Sequence, residues 1–300
     1  MELNHQKFSA RPLIELTLAS VFWGFGFVAT IWALRFLSPP AVIVYRFLIA
    51  FVFGTLILLA RRTPWSSVMA ESKIALGGGF FLFLTLALQT TGLMHTTATK
   101  SAFITTTYVI IVPLLSHYFL KNRVSALHWL WVAVALIGTV LIINLKEADL
   151  AWGDFFTFLC AIAAAVHILY VDQISSRSRS PFIFNVMQSF WAGLFGLAFF
   201  PFTEKWQLGL LDQRGWTGLL ALAFGSTLLG FFLQVRAQKL ISAPVASILF
   251  LLESPFSFVF AYFLLQERLN ALQFFGAFLI LVACLGASLK QKPHVLVIEP

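Results

Sequence analysis

Charged residues are scarce in this sequence. Asp, Glu, Lys and Arg make up 11% of its 300 residues, whereas soluble globular domains contain about 25%. Hydrophobic residues account for 60%, which is more than a soluble core can hide from water but an amount that lipid solvates. The scarcity of charge therefore excludes a water-soluble domain and predicts a polytopic membrane protein.

Cysteines and enzyme motifs are also nearly absent. Cys160 and Cys284 lie within apolar runs and are interpreted as small packing residues, which say nothing about the redox compartment. The sequence has no HExxH, no GxSxG, no Cys/His cluster with metal-ligand spacing and no Asp-rich diphosphate motif. We therefore expect no catalytic residue, metal or cofactor. The alternative function is an integral-membrane enzyme acting on a lipid-linked or small hydrophobic substrate.

Long apolar runs, by contrast, fill the chain. A helix needs about 20 mainly apolar residues to cross a bilayer, and no A-x-A-like cleavage site follows the charged start. Ten runs meet this length, at residues 12–34, 40–60, 74–93, 98–119, 125–145, 153–172, 182–201, 215–234, 242–265 and 270–289. The fold class predicted is an all-α integral membrane protein of ten transmembrane helices.

The basic residues are unevenly divided between the two sides of such a bundle. With the N-terminus in the cytoplasm, most Lys and Arg fall on the inner side. The positive-inside rule then places both termini in the cytoplasm, and the compact form fits a bacterial inner membrane. This placement accounts for the net charge of +8 without a nucleic-acid partner.

The two halves of the chain resemble each other. Each half holds five spans, an odd number, so the second half enters the membrane from the opposite side. One offset along the chain places Tyr108 opposite Glu253. Halves of opposite sense are inverted repeats, here residues 1–147 and 148–300, which can open a central site to either side in turn. This organisation favours transport over membrane-bound catalysis.

Three segments resemble a known family. SVFWGFGFVA, PPAVIVYRF and SPFSFVFAYFLLQERLNALQFFGAFLILVACLG are similar to the drug/metabolite transporter superfamily, EamA type, and the resemblance extends over residues 12–289. It implies ten helices in two inverted five-helix units that carry small metabolites, often as amino-acid exporters. One departure is Lys121-Asn122-Arg123, where a Gly-Glu-Arg-like corner is usual, so this corner is expected to differ from Gln266-Glu267-Arg268.

Glu253 is the sharpest candidate for a functional residue. It lies midway along the ninth span, where an ionised carboxylate costs about 2.5–3.5 kcal/mol. It should face a wet cavity, pair with a donor or stay protonated, and it is the candidate for proton coupling or for binding a substrate amine. The alternative is a structural hydrogen bond beside Pro255. Tyr108 either donates to Glu253 or to a substrate, or packs as an aromatic residue.

Five further residues are candidates for substrate binding. Lys100 either captures a substrate carboxylate at the cavity mouth or snorkels to the outer interface. His167 either shuttles protons or packs with a hydrogen bond. Trp23, Phe27 and Phe250 are candidates for a cavity wall that favours an amphipathic or aromatic solute.

Other polar and bending residues are assigned structural roles. Arg46 is interpreted as a structural pairing residue. Gln89 and Gln234 occupy equivalent positions and are expected to form interhelical hydrogen bonds. Pro113 and Pro255 are expected to allow helix bends.

These observations favour a transporter that exports a small metabolite, an amino acid or a related amphipathic compound, by alternating access. A channel would need a continuous polar stripe, and the spans hold only isolated polar residues. The partners predicted are a small-molecule substrate and the lipid bilayer, and the hypothesis leaves room for a homodimer.

Overall fold

The computed structural model describes residues 10–121, 125–143, 152–199, 208–268 and 270–288. These residues form helices joined by short turns, and no strand occurs among them. Eight helical segments are long and apolar enough to cross a membrane, and two shorter apolar helices complete ten spans. The predicted all-α membrane architecture of ten spans in two inverted sets is confirmed.

The first half contains six helices. They are α1 (Arg11–Leu34), α2 (Pro39–Ala60), α3 (Trp65–Gly92), α4 (Ala98–Thr105), α5 (Tyr108–Leu120) and α6 (Ala126–Ile143). Helices α4 and α5 together form the fourth span. The third span begins at Trp65 rather than at residue 74. The sequence placed its start too late because polar residues such as Glu71 and Lys73 lower the hydropathy of its first turns.

The second half repeats this plan. Its helices are α7 (Trp152–Ser175), α8 (Pro181–Phe199), α9 (Gln213–Leu220), α10 (Phe231–Ala237), α11 (Ala243–Phe250), α12 (Glu253–Leu265) and α13 (Ala271–Ser288). A π-helical segment, Ala221–Gly230, joins α9 to α10 within the eighth span, and a short 3₁₀ turn, Leu208–Leu210, precedes them. Helices α11 and α12 together form the ninth span.

Prolines mark the start of several helices. Pro12, Pro39 and Pro244 lie in the first turns of α1, α2 and α11, and α8 begins at Pro181. Proline suits a first turn because its missing N–H has no partner there in any helix and its φ angle is already helical.

The fourth and ninth spans are broken at equivalent positions. The breaks fall at Thr106–Thr107 and at Leu251–Leu252. In the fourth span the two threonine hydroxyls donate to backbone carbonyls three residues earlier, at 2.7 and 2.8 Å, and so compete with regular helix bonding. In the ninth span Pro255 lacks the N–H that the Leu251 carbonyl would accept. Tyr108 and Glu253 therefore each begin the second half-helix of their span.

Pro113, which is expected to allow a helix bend, does not lie at the break of the fourth span. It lies inside α5, beyond Tyr108, whereas the chain breaks before Tyr108. The corners after these spans share one backbone geometry, because Lys121 and Gln266 both adopt the left-handed conformation, with φ of 55° and 61°. Asn122 and Arg123, on which the expected difference between the corners rests, lie outside the described residues.

The two halves interleave rather than lying side by side. Helix α3 packs along α7 and α8, α6 packs on α13, and α1 contacts α9 to α12. Close approaches occur at glycines: a Cβ on Gly79 would lie 2.5 Å from the Cβ of Trp191, and one on Gly138 would lie 2.6 Å from the Gly276 carbonyl oxygen. The outer surface carries large exposed apolar residues such as Leu59, Phe119 and Phe278, as a lipid-facing surface requires.

The bundle has two chemically different ends. The basic end carries nine basic residues, Arg11, Arg61, Arg62, Lys73, Lys121, Arg177, Arg179, Arg236 and Lys239, against the acids Glu15, Glu71 and Asp172, whereas the opposite end carries four, Arg35, Lys100, Arg214 and Arg268, against Asp154, Asp212 and Glu267. This is the asymmetry on which the cytoplasmic placement of the basic end is predicted, and that orientation stays a prediction.

Carboxylates join the two halves at the basic end. Glu15 on α1 pairs with Arg236 on α10, with 2.8 Å between Oε1 and Nη2. Glu71 on α3 accepts hydrogen bonds from the backbone N–H groups of Arg179 and Ser180, at 2.6 and 3.0 Å, just before α8 begins. A carboxylate is favoured there because the N-terminus of a helix carries partial positive charge.

Carboxylates also join the halves at the opposite end. Glu267 accepts hydrogen bonds from the backbone N–H groups of Ala98 and Thr99 at the start of α4, at 3.2 and 3.3 Å, and from the Thr99 hydroxyl. Asp154 on α7 pairs with Lys100, with 2.6 Å between Oδ2 and Nζ. Each end of the bundle is thus held by polar contacts between the repeats.

Gly24 allows the closest approach of α1 to α12. A Cβ there would lie 2.7 Å from the Cβ of Phe256 and 2.9 Å from the Glu253 carbonyl oxygen. Gly24→Ala should therefore lower the free energy of unfolding by about 1–3 kcal/mol, the usual penalty of overpacking. The apparent melting temperature in detergent measures this change.

The matched control is Gly26→Ala on the same helix. A Cβ on Gly26 would make only ordinary contacts, the nearest at 3.5 Å from Ser226 Oγ. Equal melting temperatures for the two variants would contradict the assignment of Gly24 as a close-contact position.

Candidate functional site

A central cavity lies between the two repeats. It contains about 580 Å³ of space not filled by atoms, including the part that opens to the exterior. Its lining residues come from both halves of the chain: Trp23, Gly26, Phe27, Arg46, Thr85, Leu86, Gln89, Thr105, Tyr108, Ala164, His167, Ile168, Leu222, Ser226, Phe231, Gln234, Phe250 and Glu253.

Tyr108 and Glu253 meet in this cavity. The Tyr108 hydroxyl donates to Glu253 Oε1 at 3.0 Å, and both residues are at most 5% exposed. The breaks in the fourth and ninth spans bring the two together, because each residue begins the second half-helix of its span. No cation of the described residues forms an ion pair with Glu253. The carboxyl group therefore has one hydroxyl donor and faces the cavity without a protein counter-ion.

Arg46 reaches the cavity from α2. Its Nε donates to Thr227 Oγ1 at 3.0 Å and its Nη2 donates to Ser226 Oγ at 2.9 Å. The residue is 1% exposed. The structure thus places Arg46, which the sequence assigned to structural pairing, against two hydroxyls of the other repeat.

The π-helical segment presents those hydroxyls. A π-helix bonds each N–H five residues back rather than four, and three carbonyls of this segment also accept side-chain donors. Trp23 Nε1 donates to the Ser226 carbonyl at 3.2 Å, and Asn185 Nδ2 donates to the carbonyls of Thr227 and Leu228 at 3.2 and 2.9 Å. Such segments are frequent at functional sites. The hydropathy pattern does not reveal this one.

His167 lies in a chain of polar side chains on the second repeat. Its Nε2 lies 3.3 Å from Gln188 Oε1, and Gln188 Nε2 donates to Asn185 Oδ1 at 2.7 Å. His167 also lines the cavity. Among the described residues, no three His, Cys, Asp or Glu side chains come together in a group able to hold a metal ion.

Aromatic rings form much of the cavity wall. The ring centroid of Trp23 lies 5.0 Å from those of Phe231 and Phe250, and Phe27 lines the same space. Trp23, Phe27 and Phe250, all expected from the sequence to line a cavity, therefore do so. With Arg46, Glu253 and His167 nearby, the cavity offers both charged and apolar contacts to one small molecule.

Lys100 does not line the cavity. It pairs with Asp154 at the opposite end of the bundle, so its position does not support capture of a substrate carboxylate in this cavity, and its placement at the outer interface stays a prediction. Asp154 was missed because the sequence gives no sign that the first turn of α7 meets the first turn of α4.

The two glutamines do not bridge helices as expected. Gln89 lines the cavity and makes no side-chain hydrogen bond among the described residues. Gln234 Nε2 donates to Gln238 Oε1 at 2.8 Å within its own span, and the buried Gln234 Oε1 has no hydrogen-bond partner in the described part of the chain. Both amides are therefore placed to contact a bound molecule.

Known proteins resemble this chain over nearly its whole length. A model of the EamA-like transporter family matches residues 12–144 and 151–289. An uncharacterized transporter of Archaeoglobus fulgidus is 30% identical over 278 residues, which cover 92% of this chain and 85% of the relative. The uncharacterized inner membrane transporter YhbE of Escherichia coli is 23% identical, with 93% of this chain and 91% of the relative covered.

A solved structure supports the fold. A crystal structure of a protein with 16% sequence identity has a TM-score of 0.72 and matches 93% of this chain and 97% of its own. This likeness concerns the fold alone. Together with the ten spans, the sequence relatives identify a multi-pass membrane protein with a role in transport. The chain belongs to the EamA-like transporter family of the drug/metabolite transporter superfamily.

Proposed function

We propose that this transporter exports a small amphipathic metabolite, an amino acid or a related compound, by alternating access. The observation that carries the proposal is the central cavity, which both repeats line with aromatic rings, one guanidinium and one carboxyl group. A small molecule with charged and apolar parts finds complementary groups there. Inverted repeats around such a site are the architecture of alternating-access carriers.

The contacts at the two ends of the bundle suit this mechanism. They are polar, and the cations Lys100 and Arg236 are 21% and 34% exposed, whereas their partners Asp154 and Glu15 are 5% exposed. Opening an end hydrates both members of such a pair, and this regained hydration offsets the loss of the ion pair. The proposal therefore assigns these contacts to the two gates of the carrier.

The same proposal includes the membrane placement. The protein lies in a bacterial inner membrane, and its basic end and both termini face the cytoplasm, as the positive-inside rule indicates. Residues 1–147 and 148–300 act as the two units that rock against each other, and the protein works as a monomer or a homodimer. The inner membrane location of YhbE, a relative by sequence, supports this placement.

Glu253 is the proposed proton-coupling residue. Because no described cation forms an ion pair with it, its carboxyl group is more stable when it is protonated or faces a substrate ammonium group. Substrate binding and proton binding then compete for one carboxylate. This competition couples the release of one to the uptake of the other.

Transport in proteoliposomes tests the proposed function. Vesicles are loaded with an unlabelled amino acid that has an apolar side chain. They should take up the labelled form of the same amino acid by exchange. Sugars and nucleosides, which lack the ammonium and carboxylate pair, should not exchange. Exchange of sugars or nucleosides with no exchange of any amino acid would refute the substrate class.

Replacing Glu253 tests proton coupling. Glu253→Gln keeps the shape of the side chain and removes its exchangeable charge, so exchange should persist while accumulation driven by a pH gradient is lost. Asp212→Asn, an exposed carboxyl variant that lies outside the cavity and caps its own helix, should retain gradient-driven accumulation. An unaltered response to the pH gradient in Glu253→Gln would remove Glu253 from the coupling mechanism.

Weakening the contacts at one end should bias the carrier. Glu267→Gln removes the negative charge that binds the start of α4. If this contact weakens by about 1 kcal/mol, the ratio of the two proposed conformations shifts about fivefold towards the one open at the opposite end. A Gln89→Cys probe in a background without other cysteines should react about fivefold faster with a thiol reagent applied at the opposite end.

The control for this experiment is the basic end. Glu71→Gln should increase the reactivity of the same Cys probe only towards reagent applied at the basic end. Equal reactivity from both sides in all variants would contradict the assignment of these carboxylates to the two gates.

A further inference from the structure

Arg46 carries a buried charge without an anionic partner among the described residues. Its hydrogen bonds go to the hydroxyls of Ser226 and Thr227. The ring centroid of Phe47 lies 5.8 Å from the guanidinium carbon, a contact of modest attraction. The ion pairs of the described part of the chain join Arg11 and Arg236 to Glu15, and Lys100 to Asp154. None involves Arg46.

A buried guanidinium in this situation calls for an anion. Arginine loses its charge by deprotonation less readily than lysine does, and less readily than a carboxylate is neutralised by protonation. Buried charges in proteins are paired as a rule. Lys100 and Arg236, which are more exposed, each have a carboxylate partner. Arg46 lines the central cavity instead, so the space left for its partner is the space in which a ligand lies.

The second repeat fixes the direction of the guanidinium. Two hydroxyls of the π-helical segment bind Nε and Nη2, and the segment itself is held by Trp23 and Asn185. Nη1 makes no hydrogen bond to any described residue. A guanidinium can bind a carboxylate through two parallel N–H···O bonds, and the hydroxyl groups orient it for such a contact before the ligand arrives.

The carboxyl group of Glu253 does not pair with the guanidinium of Arg46. Glu253 also lines the cavity, yet its hydrogen bond goes to Tyr108 and it forms no ion pair with Arg46. The cavity therefore presents a cationic group from α2 and an acidic group from α12 as separate sites, with aromatic walls. A zwitterion with an apolar side chain matches all three features.

We propose that Arg46 binds the carboxylate of the transported compound while Glu253 faces its ammonium group. The substrate class is then a free α-amino acid with an apolar or aromatic side chain. This assignment rests on the proposed function and makes it specific, because it gives Arg46 a ligand-binding role that the sequence pattern did not indicate.

Binding of three matched compounds tests the assignment. The probes are L-phenylalanine, L-phenylalaninamide, which lacks the carboxylate, and 3-phenylpropionate, which lacks the ammonium group. Wild-type protein in detergent should bind phenylalanine at least about tenfold more tightly than its amide, as the loss of one charge-assisted pair implies. If the wild type binds phenylalanine and its amide with equal affinity, the proposal is overturned. It is also overturned if the wild type binds neither phenylalanine nor 3-phenylpropionate.

Variants then assign the preference to Arg46. Arg46→Gln should bind phenylalanine and phenylalaninamide equally, and Arg46→Lys should keep part of the preference because it keeps the charge. Arg61→Gln, at the basic end of the same helix, should keep all of it. Preference for the acid that persists in Arg46→Gln would place the carboxylate elsewhere and overturn the assignment.

Two further arms keep the test decisive. If Arg46→Gln does not fold, the Ser226→Ala and Thr227→Ala variants loosen the guanidinium without removing it. Each should lower the ratio of the affinity for phenylalanine to the affinity for phenylalaninamide.

Chloride and inorganic phosphate are probed alone. If they stabilise the wild type as well as phenylalanine does and displace it, Arg46 serves an inorganic anion and the proposal is overturned.

Transport separates this inference from the proposed function. Proteoliposomes that exchange phenylalaninamide as fast as phenylalanine would show that the carrier operates without a carboxylate site, so the inference alone fails. Exchange of no amino acid, despite binding that depends on Arg46, would leave the anion site in place and refute the proposed transport.

Discussion

Lipid offers no hydrogen-bond partner, and this constraint determines where the polar residues of the chain lie. Arg46, Glu253 and His167 are all nearly inaccessible, while leucines and phenylalanines cover the surface of the bundle. The polar groups cannot face the bilayer, so they converge between the repeats. They satisfy one another only in part, since Arg46 and Glu253 each bond to hydroxyl groups and neither forms an ion pair with a described residue. Both charged groups line the central cavity.

Much of this arrangement is readable from the sequence because it follows from hydropathy and repetition. The ten spans are visible as apolar runs, and a carboxylate in mid-membrane stands out against them. The repeat offset then places Tyr108 opposite Glu253, where the hydrogen bond is found. Trp23, Phe27 and Phe250 also line the cavity. These residues were predictable since their positions depend on the order of the helices rather than on fine backbone geometry.

Other parts of the site depend on geometry that hydropathy does not encode. The π-helical segment, which turns Ser226 and Thr227 towards Arg46, reads as an ordinary apolar span. Arg46 was interpreted as a structural pairing residue, and its partners Ser226 and Thr227 were not foreseen. The pair between Lys100 and Asp154 was not foreseen because Asp154 belongs to the other repeat, and contacts between distant segments leave no local signal. Polar contacts between segments that the repeat offset does not relate were thus the hardest to assign.

The repeats share a backbone but differ in their polar contacts, and this difference bears on how the transporter works. Both broken spans and both left-handed corners occur at equivalent positions, so either half can bend in the same way. The start of α4 is held by Glu267 of the other repeat, whereas the start of α11 is held by Asp172 of its own repeat. In the proposed alternating-access cycle, opening the opposite end would break the Glu267 contact between the repeats, whereas the Asp172 contact lies within one repeat and would persist when the basic end opens. The similar backbones then predict two states of similar shape, and the contacts that differ predict a difference in their free energies.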